Sequence, residues 1–241
     1  MNGPSFLELA RQALTSTRRG YNLLAPKFEQ TTYATPLEWI DQSLKRVEER
    51  FGSPSRAHGL DLACGTGRGA RALKTYCQRV DGIDFSAGML EQAARMSDGL
   101  QGLEWICSDL HGVELHPRRY DRIVTFGAWG HILPNFRQQL LTEVVDSLKP
   151  GGVFLTLTSD EPRIWEKRFW YFLIFDLAIW IRNRIWFEEF HMYYRLNYTD
   201  RLINCLEDVL SGRAEYDLDA EPLAGFEELP IKLVTVHRKP R

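Results

Sequence analysis

The sequence predicts an α/β fold in which helices cover both faces of a parallel sheet. Short apolar runs, each about as long as a strand, alternate with helical stretches between His58 and Ser159. The first of these runs enters a loop with three glycines, "GLDLACGTGRGARAL" (residues 59–73). Strands that alternate with helices are joined by right-handed crossovers, which make the strands parallel and place helices on both faces.

Size and charge limit the possible classes of protein. The 241 residues suffice for one large α/β domain or two small ones, and no internal repeat or low-complexity segment is present. We therefore expect one main domain with additions. The 30 basic and 32 acidic residues give a net charge of −2, which provides no general attraction to nucleic acid or to anionic membranes.

The cysteines and the first residues bear on location and metal content. The four cysteines have no C-x-x-C pair and no histidine at zinc spacing: Cys64, Cys77, Cys107 and Cys205. This pattern predicts a reduced cytoplasmic protein without a structural metal. The first 20 residues lack the apolar core of a secretion signal, so we expect the chain to stay inside the cell.

The N-terminal third is predicted to be helical as far as Gly52. In "TPLEWIDQSLKRVEERFG" (residues 35–52), Thr35 is the expected helix cap and Pro36 stands at the first helical position. Glu38 would reach back to complete a capping box. Gly52 is the expected end of the helix.

Five strands are expected after this helix. They read "HGLDLA" (58–63), "RVDGID" (79–84), "LEWICSD" (103–109), "DRIVTFGA" (121–128) and "GVFLTLTS" (152–159). Helices are expected after the first, second and fourth of them, the second of these helices starting at Ser86. Ligands of such sheets bind at the carboxyl ends of the strands, so functional residues should lie there.

The glycine loop follows the first predicted strand. Because Gly65, Gly67 and Gly69 lack a Cβ, the backbone there can turn sharply and let a ligand approach its amides. A helix starting near Gly67 would add unpaired N–H groups. These features indicate a nucleotide or anion cradle, and with Ala70 the loop also satisfies the dinucleotide pattern G-x-G-x-x-[GA].

Carboxylates stand at three strand ends. Asp84 ends the second strand, where it can accept both hydroxyls of a ribose, and Asp109 ends the third, where it can accept from an exocyclic amine such as that of adenine. Asp61 lies just before the loop. It would repel a pyrophosphate and favour a ligand that carries an ammonium and a sulfonium.

Five segments in a fixed order resemble the class I S-adenosylmethionine-dependent methyltransferases. They are "LDLACGTG", "DGIDFSAGML", "CSDL", "YDRIVTFGAWGHI" and "LKPGGVFLTL". The resemblance spans residues 21–159 and resumes at "LPIKLVTVHRKP" near the end of the chain. It implies a Rossmann-like, seven-stranded, mostly parallel sheet with the last strand antiparallel, and S-adenosylmethionine as cofactor.

On this pattern we expect a single methyltransferase domain over residues 1–241. Its expected parts are a helical N-terminal cap (1–52), a cofactor-binding core (53–160), an aromatic helical lid insertion (161–197) and a final helix and strands (198–241).

The resemblance also implies cofactor contacts at particular positions. Asp61 would lie near the ammonium, Asp84 at the ribose hydroxyls and Asp109 at the adenine amine. The full implied set is Asp61, Ala63, Gly65, Gly67, Asp84, Phe85, Met89, Asp109, Leu110 and Phe126. Helix capping and core packing remain ordinary alternatives for several of these positions.

Methyl transfer depends more on alignment than on a catalytic triad. Holding the two reactants together can supply about 7–11 kcal/mol, whereas a general base adds roughly 10²–10⁴-fold. His131, just past the fourth strand, is the candidate base, with His191 as an alternative. Tyr21 matches a tyrosine that lies over the active site in many relatives. A loop contact for His131 and plain packing for Tyr21 stay open.

The segment from Trp165 to Tyr198 contains 13 of the chain's 29 aromatic residues. In the family this region forms a lid, and an aromatic lid indicates a small-molecule acceptor that is apolar or aromatic. Two alternatives stay open: a peripheral membrane contact through residues 165–187, and packing onto the sheet or a second subunit. The packing stripe would comprise Trp165, Phe169, Leu173, Trp180 and Phe187.

The function expected is methyl transfer to this acceptor, at oxygen first and at carbon second. No basic face and no N-P-P-Y-type motif is present, so nucleic acid is not expected as substrate. Two alternatives remain. One is an NAD(P)-dependent oxidoreductase, on the glycine pattern and Arg68, and the other is a non-catalytic cofactor-binding protein that serves as a partner. The acceptor's identity and the oligomeric state do not follow from the sequence.

Overall fold

The structure is a computed structural model that describes residue 5, residues 14–185 and residues 189–240. Two parts of the sequence predictions therefore lie outside the described residues. They are most of the first 13 residues of the expected N-terminal cap, and Phe187 of the aromatic stretch.

One sheet of seven strands organises the chain. The strands are β1 (His58–Leu62), β2 (Arg79–Asp84), β3 (Leu103–Cys107), β4 (Tyr120–Thr125), β5 (Leu148–Ser159), β6 (Tyr216–Pro222) and β7 (Ile231–Arg238). Their order is β3-β2-β1-β4-β5-β7-β6. The pairs from β3 to β5 are parallel, and β7 runs antiparallel between β5 and β6. The predicted mostly parallel sheet with an antiparallel last strand is confirmed. Its order reverses between β1 and β4, where open α/β sheets bind ligands.

Helices cover both faces of this sheet. Within the described residues they are α1 (Thr17–Leu24), α2 (Leu37–Phe51), α3 (Arg68–Leu73), α4 (Ala87–Met96), α5 (Pro134–Ser147), α6 (Lys167–Ile185) and α7 (Thr199–Leu210). Two 3₁₀ helices, Ala25–Gln30 and Tyr194–Asn197, complete them. Helices α5 and α7 bury apolar side chains against one face of the sheet, and α2 and α3 against the other. Neighbouring residues of a strand serve opposite faces, as Ile123 and Val124 do in β4.

The predicted start of α2 is wrong. Its first helical residue is Leu37, its N-cap is Pro36, and no side chain caps it. Thr35 therefore makes no capping box, and its carbonyl accepts a hydrogen bond from Arg68 Nη1 at 2.7 Å. The tertiary contact with α3 thus determines the conformation here, rather than the local motif. The predicted end is confirmed, because Gly52 follows the helix with φ of 74°.

The lid region contains α6 and the second 3₁₀ helix. The Asp176 carboxylate accepts hydrogen bonds from the backbone N–H groups of Tyr194 and Arg195, which ties the middle of α6 to that 3₁₀ helix. Trp165 and Trp180 do not pack onto the sheet, since their exposed fractions are 73% and 57%. No helix in the described part of the chain is long and apolar enough to cross a membrane.

A buried ion pair anchors α2 to the sheet. The side chain of Arg122 in β4 is fully buried, and its Nε donates to Glu48 Oε1 at 2.6 Å. The same guanidinium donates to the carbonyls of Asp121 and Gly52. A buried guanidinium needs such partners, because leaving it unpaired is costly.

We expect Glu48→Ala to lower the free energy of unfolding by about 3–5 kcal/mol, because it leaves the Arg122 charge buried without a counterion. Denaturant unfolding measures the change. The matched control is Glu49→Ala, at the next position of α2, where the carboxylate is 59% exposed and the expected change is within about 0.5 kcal/mol. Equal effects of the two substitutions would contradict this role of the ion pair.

Candidate active site

A cavity opens at the carboxyl ends of β1, β2 and β4. Including its open mouth it contains about 720 Å³ of empty space. Nine of the twelve predicted site residues line it: Tyr21, Asp61, Ala63, Gly65, Asp84, Phe85, Met89, Phe126 and His131. The remaining three, Gly67, Asp109 and Leu110, do not.

Asp84 connects the glycine loop to the helix that follows β2. Its carboxylate accepts from the Gly65 N–H at 2.9 Å and from the Ser86 N–H at 2.8 Å. Gly65 adopts a left-handed φ of 53°, which favours glycine. Burial raises the pKa of Asp84 to about 6, although backbone hydrogen bonds from Ser86, Gly65 and Phe85 oppose the rise. The carboxylate is therefore held in one orientation at the cavity wall.

Asp61 is a buried carboxylate with an unused oxygen. No hydrogen-bond partner for its Oδ2 exists in the part of the chain that the structure describes. A Cβ at Gly69 would lie only 2.7 Å from this oxygen, so glycine is needed there for the close approach. Burial raises the pKa of Asp61 to about 8. A cationic group in the cavity would supply the partner that the protein lacks.

Gly67 does not lie on the cavity. It is the N-cap of α3 with φ of 80°, and a Cβ there would come within 2.5 Å of the Trp105 ring. Its lack of a side chain thus serves the turn and the packing of α3 against β3. The cofactor contact of Gly67 stays a prediction.

Asp109 and Leu110 also lie away from the cavity. Asp109 lines an adjoining hollow that shares Phe85 and His131 with it. Its Oδ1 accepts from the backbone N–H of His111 at 3.0 Å. Burial tends to raise the pKa of Asp109, but hydrogen bonds from His111 outweigh it and the pKa is lowered. Leu110 packs against the core. The adenine contact of Asp109 stays a prediction.

Tyr21 and His131 form a hydrogen-bonded pair at the cavity wall. The Tyr21 hydroxyl oxygen lies 2.8 Å from His131 Nε2, and His131 Nδ1 contacts the carbonyl of His191. A carbonyl can only accept, so Nδ1 carries the ring proton and Nε2 accepts from the tyrosine hydroxyl. Burial lowers the pKa of His131 and raises that of Tyr21. Both side chains are therefore neutral near pH 7.

His191, the alternative base, contributes its backbone to this arrangement. Its carbonyl accepts from His131, while its ring Nε2 lies 3.0 Å from Glu189. His191 also lines the adjoining hollow. The carbonyl thus fixes the tautomer of His131.

Two contacts that the sequence did not reveal hold the N-terminal segment over the cavity. Glu29 accepts hydrogen bonds from Thr66, Arg68 and Arg71 at 2.8–3.2 Å. Asn22 Oδ1 accepts from the backbone N–H of Gly88 at 3.0 Å, at the start of α4. Only long-range contacts reveal these roles. Because Arg68 is bound to Glu29 and Thr35, it is not available for the phosphate contact of a nicotinamide cofactor.

Aromatic rings of the lid pack on one another beside the second 3₁₀ helix. Tyr194 stacks on Phe172 of α6 with ring centroids 4.8 Å apart, and Phe175 meets it edge-on at 4.9 Å. Tyr33 lines the cavity itself. Burial is the main cause that raises the pKa of Tyr21, followed by the charge of Asp84 and then by the hydroxyls of Tyr33 and Tyr194.

Comparisons of sequence point to one activity. The profile of a family described as "Methyltransferase domain" matches residues 60–152. The demethylmenaquinone methyltransferase of Lactiplantibacillus plantarum is 28% identical over 211 residues, which cover 80% of this chain and 83% of the relative. That of Bacillus licheniformis is 25% identical over 203 residues, covering 83% and 79%.

Comparisons of structure show the same fold. The structure of the DhpI–SAH complex matches with a TM-score of 0.62 at 18% identity, covering 98% of this chain and all of that one. An S-adenosylmethionine-dependent methyltransferase from Mesorhizobium loti matches with a TM-score of 0.56 at 18% identity, covering 83% and 100%.

The residues at the cavity suit S-adenosylmethionine. The unpartnered Asp61 oxygen fits a cationic ligand, and the oriented Asp84 carboxylate stands at the end of β2, where this fold holds a ribose. Together with the five sequence motifs, the matched profile and the named relatives, this excludes both the oxidoreductase and the non-catalytic alternative. The chain is a class I S-adenosylmethionine-dependent methyltransferase, with S-adenosylmethionine as its cofactor.

Proposed function

We propose that this methyltransferase methylates a ring carbon of an apolar, hydroxyl-bearing aromatic acceptor of the quinol class. The observation that carries the proposal is the neutral Tyr21–His131 pair at the cavity wall, which bonds the backbone of the aromatic lid at His191. The sequence alone favoured oxygen as the methylated atom. The relatives named for demethylmenaquinone favour carbon, because that name denotes a quinone that lacks a methyl group.

Three residues have the chemistry to hold the cofactor. Asp61 would pair with the ammonium through its unused Oδ2, and Asp84 would accept the ribose hydroxyls while it keeps its bonds to the loop. Met89, buried at the start of α4, borders the same cavity. When bound, S-adenosylmethionine supplies a methyl group made electrophilic by the sulfonium. The chain's task is then alignment and proton removal.

The Tyr21–His131 pair provides a path for the acceptor's proton. Tyr21 takes the proton of the acceptor hydroxyl and passes its own to His131 Nε2. The imidazolium that forms keeps its Nδ1–H on the His191 carbonyl, which stabilises the charge. Loss of the proton makes the ring carbon beside the oxygen nucleophilic, and a C–C bond forms as the S–CH₃ bond breaks. The ring carbon then loses its hydrogen as a proton to bulk water, which restores the aromatic ring. His131 returns its proton through Tyr21 to the acceptor oxygen, so the neutral pair is regenerated and one proton is released overall.

Asp61 gives a pH-dependent prediction for the protein without ligand. Its pKa is about 8 in the fold and 3.8 ordinarily, so the folded state binds the extra proton between these values and stability falls as pH rises towards 8. We expect the melting temperature to fall less between pH 5 and pH 9, each about one unit above one of these two values, in Asp61→Asn than in the wild type.

Calorimetric melts at both pH values check this prediction. The control is Asp98→Asn, whose side chain is exposed and whose pH dependence should equal that of the wild type. S-adenosylmethionine should stabilise the wild type more than Asp61→Asn, because the substituted amide cannot pair with the ammonium. If the melting temperatures of wild type and Asp61→Asn fell equally with pH, ionisation of this carboxylate would not destabilise the ligand-free fold, and the prediction would be wrong.

The test of the proposed function uses a reduced naphthoquinone with a short side chain and a free ring carbon beside a hydroxyl. We expect a C-methyl product, identified by nuclear magnetic resonance with a labelled methyl group. Tyr21→Phe and His131→Gln should each lower kcat by about 10²–10⁴-fold, with little change in the affinity for S-adenosylmethionine. The double variant should be no slower than the slower single variant, since the two groups act as one unit.

The pH profile separates proton transfer from a structural role. Because burial lowers the pKa of His131, wild-type kcat should fall only on the acid side, below the ordinary histidine value of 6.5. This acid limb should disappear in His131→Gln. His116→Ala, an exposed histidine, is the control and should behave as wild type. A methoxy product would overturn carbon as the target, and unchanged kcat in both single variants would overturn the proton path.

A further inference from the structure

We propose that the outer face of α6 binds an anionic lipid surface, from which the acceptor enters the cavity. We define the outer face as the row formed by Trp170, Ile174, Leu177 and Ile181. The inference rests on the proposed function in one respect: an apolar acceptor needs a source, and the lipid surface would supply it.

The outer face is apolar and exposed over several turns. Its four side chains follow one another at intervals of four, three and four residues, the spacing of one side of a helix. Their exposed fractions lie between 43% and 63%. A continuous apolar row of this kind on a protein surface marks an interaction site.

The opposite side of α6 is fixed to the protein, so the outer face is held outward. Phe172 stacks on Tyr194, and Asp176 accepts from the N–H groups of the second 3₁₀ helix. The side chain of Asn183 binds both backbone groups of Phe190. It donates to the carbonyl at 3.1 Å and accepts from the N–H at 2.9 Å. The inner side of α6 thus holds the segment 190–195, whose His191 carbonyl bonds His131, and so connects the surface to the active site.

Charge around this helix favours an anionic surface. Residues 163–185 contain five basic and two acidic side chains, whereas the whole chain carries a net charge of −2. The exposed charged residues of this segment are all basic: Arg163, Lys167, Arg168 and Arg184. Its acidic residues, Glu166 and Asp176, are only partly exposed and hydrogen-bonded.

The placement of these charges suits binding to a lipid surface better than binding to a second copy of the chain. The cations stand at both ends of α6, with the apolar row between them, which lets side chains reach the headgroups while the row enters the acyl boundary. Trp165 and Trp180, both more than half exposed, flank the row, and tryptophan favours this boundary. If two copies paired through their outer faces, basic ends would meet basic ends in either orientation.

The test is flotation of the full chain with phosphatidylcholine vesicles, with and without phosphatidylglycerol, together with tryptophan emission. We expect binding and a blue shift with the anionic vesicles, and weaker binding without phosphatidylglycerol or at high salt. The double variant Ile174→Glu and Leu177→Glu should bind at least about tenfold more weakly. The matched control is Met96→Glu with Leu100→Glu, which places the same changes on apolar residues of similar exposure outside α6.

Each outcome bears on the proposal. Thermal melts verify that the variants are folded. Failure of the wild type to float with anionic vesicles would overturn the proposal, as would undiminished binding of the α6 variant. Self-association that the α6 variant abolishes, without vesicle binding, would assign the face to a second copy. The α6 variant should keep wild-type kcat on the short-chain naphthoquinol in solution. If the wild type bound the vesicles but did not methylate the naphthoquinol, only the proposed function would be overturned.

Discussion

The site depends on one carboxylate held by two backbone amides. Asp84 ends β2 and accepts from Gly65 in the loop after β1 and from Ser86 at the start of α4. Two neighbouring strands, the loop and a helix are thereby fixed to a single side chain. The cost is burial of a charge, visible in its raised pKa, and a cofactor that donates to the same carboxylate would offset part of that cost.

A second layer of contacts closes the cavity from the N-terminal side. Glu29 and Asn22 bind the glycine loop and the start of α4, while Tyr21 reaches His131, which in turn bonds the lid backbone at His191. Three distant parts of the chain thus meet at one histidine. Burial at this junction lowers the pKa of His131 and keeps the histidine neutral, as a proton acceptor requires.

Local patterns predicted the sheet and most of the cavity, because alternation of strands and helices fixes where strand ends meet. Asp61, Asp84 and His131 were accordingly found in one place, and Tyr21, which the family resemblance placed at the site, lies with them. Predictions failed where a long-range contact decided the outcome. The helix predicted to be capped by Thr35 begins instead at Leu37, with Pro36 as its N-cap, and the Thr35 carbonyl is bound by Arg68. The roles of Glu29 and Asn22 have no local signature, since each depends on a partner more than 35 residues away.

The most direct measurement of the central claim is calorimetric titration of S-adenosylmethionine and S-adenosylhomocysteine into the wild type and Asp84→Ala. One charge-assisted hydrogen bond contributes about 1.5–3 kcal/mol, so loss of Asp84 should lower the affinity for both ligands by roughly tenfold to more than a hundredfold. Glu91→Ala, an exposed carboxylate on α4, should bind as wild type. Unchanged affinity in a folded Asp84→Ala protein would contradict the role of this carboxylate as the centre of the cofactor site.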